Sequence, residues 1–161
     1  MNTAASRHTT ARVSLSLVSL VFGIAIEGCG SSSAPGPGPR PSAVTETIGP
    51  AGGTILVDGA TVTFPPNAVA APTSITIAET DEAPPPGYVA LSSVYRCGPA
   101  GTTFAQKVTM AMSFRGDATG ARIFWSSGID PTFKDVGGVA EGAVMTTQIE
   151  HFSSGFVGRP Q

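Results

Sequence analysis

Apolar residues in this chain recur at every second position in short runs, and glycine or proline ends nearly every run. Val108, Met110, Met112 and Phe114 fall on one face of such a run, and Ile75 and Ile77 on one face of another. A period of two is the signature of a half-buried β-strand, whereas an amphipathic helix needs a period of 3.6, which no stretch shows. Further short β-type runs are Thr45–Ile48, Thr54–Val57, Thr61–Phe64, Tyr88–Arg96, Ala121–Ser126, Ala143–Ile149 and Phe152–Val157. Asp58-Gly59 separates two of them and is a strong signal for a two-residue hairpin turn. Pro65-Pro66-Asn67-Ala68 ends that hairpin, because proline cannot donate to a central ladder. With 20 Gly, 14 Pro and only 12% charged residues, the chain has the turn density of an all-β protein. Strands at this spacing predict an antiparallel β-sandwich.

The first 28 residues are a targeting segment and stand outside fold reasoning. Arg7 and Arg12 form a basic start, and Val13–Ile26 is apolar apart from serines and a glycine. A helix of that length is about 20 Å long, short of a bilayer core of about 30 Å. Ile26-Glu27-Gly28-Cys29 follows and resembles the bacterial lipobox, in which the cysteine is acylated and becomes the mature N-terminus. Glu27 stands where that pattern has a small or apolar residue. Simple secretion and an uncleaved anchor are the other readings. Residues 29–43 form a Gly/Ser/Pro linker, flexible where glycine and serine dominate and extended where proline does. The expected layout is a lipoprotein-type signal peptide over 1–28, the linker over 29–43 and one sandwich over 44–158.

Cleavage before Cys29 leaves 133 residues, enough for one domain, with a net charge of −3 once Arg7, Arg12 and Glu27 are gone. No basic run remains, so nucleic acid is not an expected partner. Two cysteines in an exported chain could pair. An acylated Cys29 cannot, and Cys97 is then a small apolar core residue. With His8 in the leader, His151 is the only histidine left. A zinc site needs three or four ligands, and Asp81-Glu82, Asp117 and Asp130 lack calcium-loop spacing. No metal or cofactor is expected. Trp125, Tyr88, Tyr95 and Phe133 could line a glycan or peptide platform, although core packing is the default for aromatics. Phe124-Trp125 sits mid-strand, so one ring should face the core and the other outward.

Leu91–Phe114 reads LSSVYRCGPAGTTFAQKVTMAMSF. Leu91, Ser92, Val94, Cys97, Gly98, Pro99, Gly101, Phe104, Lys107 and Val108 resemble the signature of the ZU-five domain. That domain is shared by zona-occludens proteins, Unc-five netrin receptors and ankyrins. Gly52, Gly53, Pro65, Pro66 and Ala68 match the family's opening hairpin. Asn67 stands at a family glycine, and asparagine tolerates positive φ best among the other residues. The closing hairpins also resemble the family, so the likeness spans about residues 44–158. It implies a binding or structural β-sandwich with Pro65, Pro66, Cys97, Gly98, Pro99, Gly101 and Phe104 as structural motif residues.

The resemblance also draws attention to His151-Phe152-Ser153. In some relatives this tripeptide is a self-cleavage site. Ser153 would attack the Phe152 carbonyl to form an ester, with His151 as general base and backbone strain assisting, and water would hydrolyse the ester. The plainer alternative is a closing strand with Phe152 in the core. Cleavage would release only Ser153–Gln161. The expectation is therefore an exported, lipid-anchored, non-enzymatic binding or structural module of the cell envelope. It would be held extracytoplasmically at the outer membrane, the periplasmic face or the cell surface. Its partners would be the membrane, through a lipid on Cys29, and a protein or glycan ligand. The alternatives are a domain that cuts its own Phe152–Ser153 bond and a carbohydrate-binding adhesin.

Overall fold

Residues 42–127 and 132–161 are described by the structure, a computed structural model. The expected signal peptide, Cys29, nearly all of the linker and Asp130 lie outside them. The described residues contain no helix and twelve strands. In chain order these are β1 (Ala43–Ile48), β2 (Gly53–Val57), β3 (Ala60–Phe64), β4 (Thr73–Thr80), β5 (Tyr88–Ala90) and β6 (Val94–Gly98). They continue with β7 (Thr103–Ser113), β8 (Arg122–Ser126), β9 (Phe133–Gly137), β10 (Val139–Glu141), β11 (Val144–His151) and β12 (Ser154–Pro160).

Two antiparallel sheets pack as a sandwich. The first runs β1-β4-β6-β12-β8-β9, with β5 also paired to β12, and the second runs β10-β11-β7-β3-β2. Both sides are closed where the chain changes sheets. The Gly49–Gly52 turn links β1 to β2, and Gly138 links β9 to β10. Asp58-Gly59 makes the expected two-residue hairpin, with Val57 opposite Ala60 and Gly59 at φ 73°. Asn67 takes φ 63° in the turn after β3.

The alternation read from sequence builds the main core. Ile75, Ile77, Cys97, Ile123 and Trp125 come from the first sheet, and Ile55, Val62, Val108, Met110, Met112, Met145 and Ile149 from the second; all are buried in one cluster. Three expectations are corrected. Tyr88–Arg96 is not one strand: it breaks at Leu91–Ser93, where Ser92 Oγ accepts a hydrogen bond from the Val157 N–H. The last strand starts at Ser154, not Phe152. Phe124 and Trp125 point to opposite faces, but neither reaches solvent, at 3% and 2% exposure. Trp125 joins the main core, while Phe124 joins Val94 and Phe156 in a second cluster, against which Tyr88, Ala90 and Phe133 pack.

Candidate functional site: the His151-Phe152-Ser153 corner

His151 ends β11 in the second sheet, and Ser154 begins β12 in the first. Phe152 and Ser153 therefore carry the chain across the sandwich, and a crossing segment must find partners for its backbone away from any ladder. The 97–102 segment supplies most of them. The Phe152 N–H donates to the Thr102 carbonyl at 2.8 Å, the Gly101 N–H to the Phe152 carbonyl at 3.0 Å, and the Cys97 N–H to the Ser153 carbonyl at 2.8 Å. Trp125 Nε1 donates to the His151 carbonyl at 3.1 Å.

The Phe152 ring is fully buried and meets Phe104 edge-on at 4.8 Å between ring centroids and Phe64 at 5.9 Å. Of the signature residues, Cys97, Gly101 and Phe104 thus converge on this corner directly. The Gly98–Pro99 peptide is cis, and the Pro99 carbonyl accepts from the Thr102 N–H and hydroxyl, closing the loop that presents Gly101. Pro65 and Pro66 lie in the turn after Phe64, whose ring reaches the corner. Cys97 is buried, and burial pushes its thiol up to about 12.

The three motif side chains are not arranged for proton transfer. Ser153 is 5% exposed, and its hydroxyl is hydrogen-bonded to that of Ser126. His151 Nε2 lies 3.2 Å from the Ser126 carbonyl. A carbonyl only accepts, so Nε2 must carry the proton and cannot take one from Ser153 at that atom. Among the described non-glycine residues only Asn67 has positive φ, so Phe152 and Ser153 show no strain of that kind. One element of acyl-transfer chemistry is present: the Gly101 N–H sits on the oxygen that would become the oxyanion. Ser126, which also accepts from the Ser154 N–H at 3.2 Å, has no sequence signal of its own, because only the pairing of β8 with β12 brings it here.

Residues 44–125 match the ZU5 domain. The chain belongs to the ZU5 domain family. The match runs from Val44 in β1 to Trp125 in β8 and includes the loop that clamps the corner. The Phe152–Ser153 crossing falls after it. ZU5 domains are in general non-enzymatic interaction modules, and the β-sandwich agrees with that class. No curated protein matches the chain.

Proposed function

We propose that this ZU5 domain is an exported, lipid-anchored binding and structural module of the cell envelope, and that it does not cut itself. The apolar stretch Val13–Ile26 followed by Gly28-Cys29 supports export and acylation. Acyl chains bury methylenes at about 0.8 kcal/mol each, and two or three such chains hold a protein firmly on a membrane. The observation that carries the non-enzymatic reading is the pairing of the Ser153 hydroxyl with Ser126 while His151 is turned to the Ser126 carbonyl. In that arrangement Phe152 plugs the sandwich and the corner closes the fold. A protein ligand fits the family. A glycan platform draws no support from Trp125 and Tyr95, each 2% exposed.

Self-cleavage is the second reading, favoured by the Gly101 N–H on the Phe152 carbonyl. Intact-mass analysis of the protein taken from its native envelope separates the two. The expected species begins at an acylated Cys29 and runs unbroken through the Phe152–Ser153 bond. Cys29→Ala should lose the lipid mass and move to the soluble fraction. An unlabelled N-terminus in wild type overturns the anchor. A fragment ending at Phe152 in wild type, absent in Ser153→Ala, overturns the non-enzymatic reading.

A further inference from the structure

Among the described residues four strands end the two sheets: β1 and β9 in the first, β2 and β10 in the second. An open edge invites a further strand, and proteins guard it with charge, proline, irregularity or shortness. β1 carries Glu46. β9 carries Lys134 and Asp135 and slips register against β8, and β10 has only three residues, one of them Glu141. β2, Gly53-Thr54-Ile55-Leu56-Val57, has none of these guards, and its register with β3 is unbroken. Leu56 is 64% exposed there, although Ile55 and Val57 beside it are buried. The hydrogen-bond phase says which main-chain groups the edge offers. The Ser113 N–H donates to the Gly59 carbonyl at 2.7 Å. Bonds in an antiparallel ladder fall at every second residue. Thr61, opposite Ala111, therefore also turns its groups to β7, while Ala60 and Val62 turn theirs to β2 and are answered by Val57 and Ile55. The N–H and C=O groups of Thr54 and Leu56 point outward, and β2 has no described strand on that side.

We propose that β2 pairs antiparallel with β2 of a second copy of this chain, about a twofold axis at Ile55. In that register Thr54 lies opposite Leu56 of the second copy, and Leu56 opposite Thr54. Each is a hydrogen-bonded pair, whose members exchange both main-chain bonds, so every outward group on both strands is satisfied. Ile55 meets Ile55 in the non-bonded pair between them, as it must, because its own groups are turned to β3. The strand is thus its own complement in register and in phase, which selects a second copy over an unrelated extended segment. The two five-stranded sheets continue as one, and the twofold closes the contact at two copies. On the outer face each Leu56 lies beside Thr54 of the other copy, and no charge in β2 opposes the approach. The pairing goes beyond the binding-module reading and does not need the lipid. It is short, and copies held on one surface would gain from their raised effective concentration.

Cross-linking of the full chain in its native envelope tests this register. Chains carrying Thr54→Cys and chains carrying Leu56→Cys are produced together and oxidised with copper phenanthroline. Opposite Cα atoms of a hydrogen-bonded pair lie about 5.5 Å apart, within disulfide reach. Two copies with the same substitution place those Cα atoms about 8–9 Å apart, beyond it. The mixture should yield disulfide dimers from up to about half of the chains, the share of mixed pairs under random association. Either variant alone should give at least about fivefold less. Wild type treated alike sets the background of Cys29 and Cys97. Thr54 and Leu56 are exposed, so neither change disturbs the core. Val139→Cys, 66% exposed on the opposite edge strand, should give no dimer with either. Equal yields from the single variants, an equal yield with Val139→Cys, or no dimer from the mixture overturns the proposal. A cross-link from Leu56→Cys to a chain of another mass also overturns the second copy, and leaves the binding-module reading standing.

Discussion

Phe152→Ala should be among the most damaging single changes in the domain, because Phe152 plugs the point where the chain crosses between sheets. Its ring is fully buried and has two edge-to-face neighbours, Phe104 at 4.8 Å and Phe64 at 5.9 Å. Truncating a buried phenylalanine costs about 3–5 kcal/mol, and each favourable ring pair supplies about 0.5–1.5 kcal/mol of coupling. The neighbours come from two other strands, β3 and β7, so the site cannot collapse cheaply and the upper half of the range is expected. Against a typical domain stability of about 5–15 kcal/mol, that leaves the variant folded but fragile. With a urea slope of about 1.5 kcal/mol per molar, the midpoint should fall by about 3 M. Trp125 is the chain's single tryptophan and donates to the His151 carbonyl, so its fluorescence reports on this corner during the titration. A double-mutant cycle with Phe104→Ala should return a coupling of about 1 kcal/mol. A loss below about 1 kcal/mol for Phe152→Ala would refute the idea that the crossing residue holds the two sheets together.

Two further outcomes follow from packing and from burial. Gly155 lies opposite Trp125, and an added Cβ would come within 2.1 Å of Trp125 Cε3 and 2.9 Å of the Phe124 carbonyl. Gly155→Ala should therefore cost about 1–3 kcal/mol and lower Tm by several degrees, and an unchanged melt would show that the β8–β12 spacing is looser than described. The Cys97 thiol is pushed from 9.0 up to about 12, so the unfolded chain loses its proton first as pH rises. Its contribution to stability should be level below pH 9 and decline between pH 9 and 12, by at most about 1.4 kcal/mol per pH unit. Urea midpoints at pH 8, 10 and 11 measure this, and Cys97→Ala should flatten part of the decline. Equal slopes in both proteins would place the thiol in solvent.

Local chemistry was legible where the chain's own neighbours decide the structure. Asp58-Gly59 needs only its two flanking strands, and Val108 to Phe114 needs only a face to bury. The β9 and β10 strands were not legible: apart from half-buried Phe133 and Gly137, both are exposed throughout, so they carry no alternation and exist through pairing with β8 and β11. The break at Leu91–Ser93 depends on Val157, whose carbonyl accepts from the Leu91 and Ser92 N–H groups while its own N–H donates to Ser92 Oγ. The burial of Phe124 depends on Tyr88, whose ring centroid lies 4.6 Å away, and on Phe156, which stacks on it. At the corner, His151, Phe152 and Ser153 could be named in advance. Their partners Cys97 and Gly101 come from the 97–102 segment and Ser126 from β8, and no spacing rule joins either to the motif.

The same clamp serves opposite ends depending on one proton. Gly101 donates to the carbonyl of the Phe152–Ser153 amide itself and Cys97 to the carbonyl that follows it, and together they hold that amide in place as a ground state. An acyl shift would use the Gly101 contact differently, since its value there comes from charge that develops only in the transition state. What decides between the two is whether a base can reach the Ser153 hydroxyl. Ser126 blocks both routes at once: its hydroxyl pairs with Ser153 and its carbonyl engages His151 Nε2. Reorienting the imidazole would give up that bond inside a half-buried site, where an unmade hydrogen bond costs about 1–3 kcal/mol. The residues of a cleavage motif can therefore stand in the right order while the fold spends them on closing its last crossing.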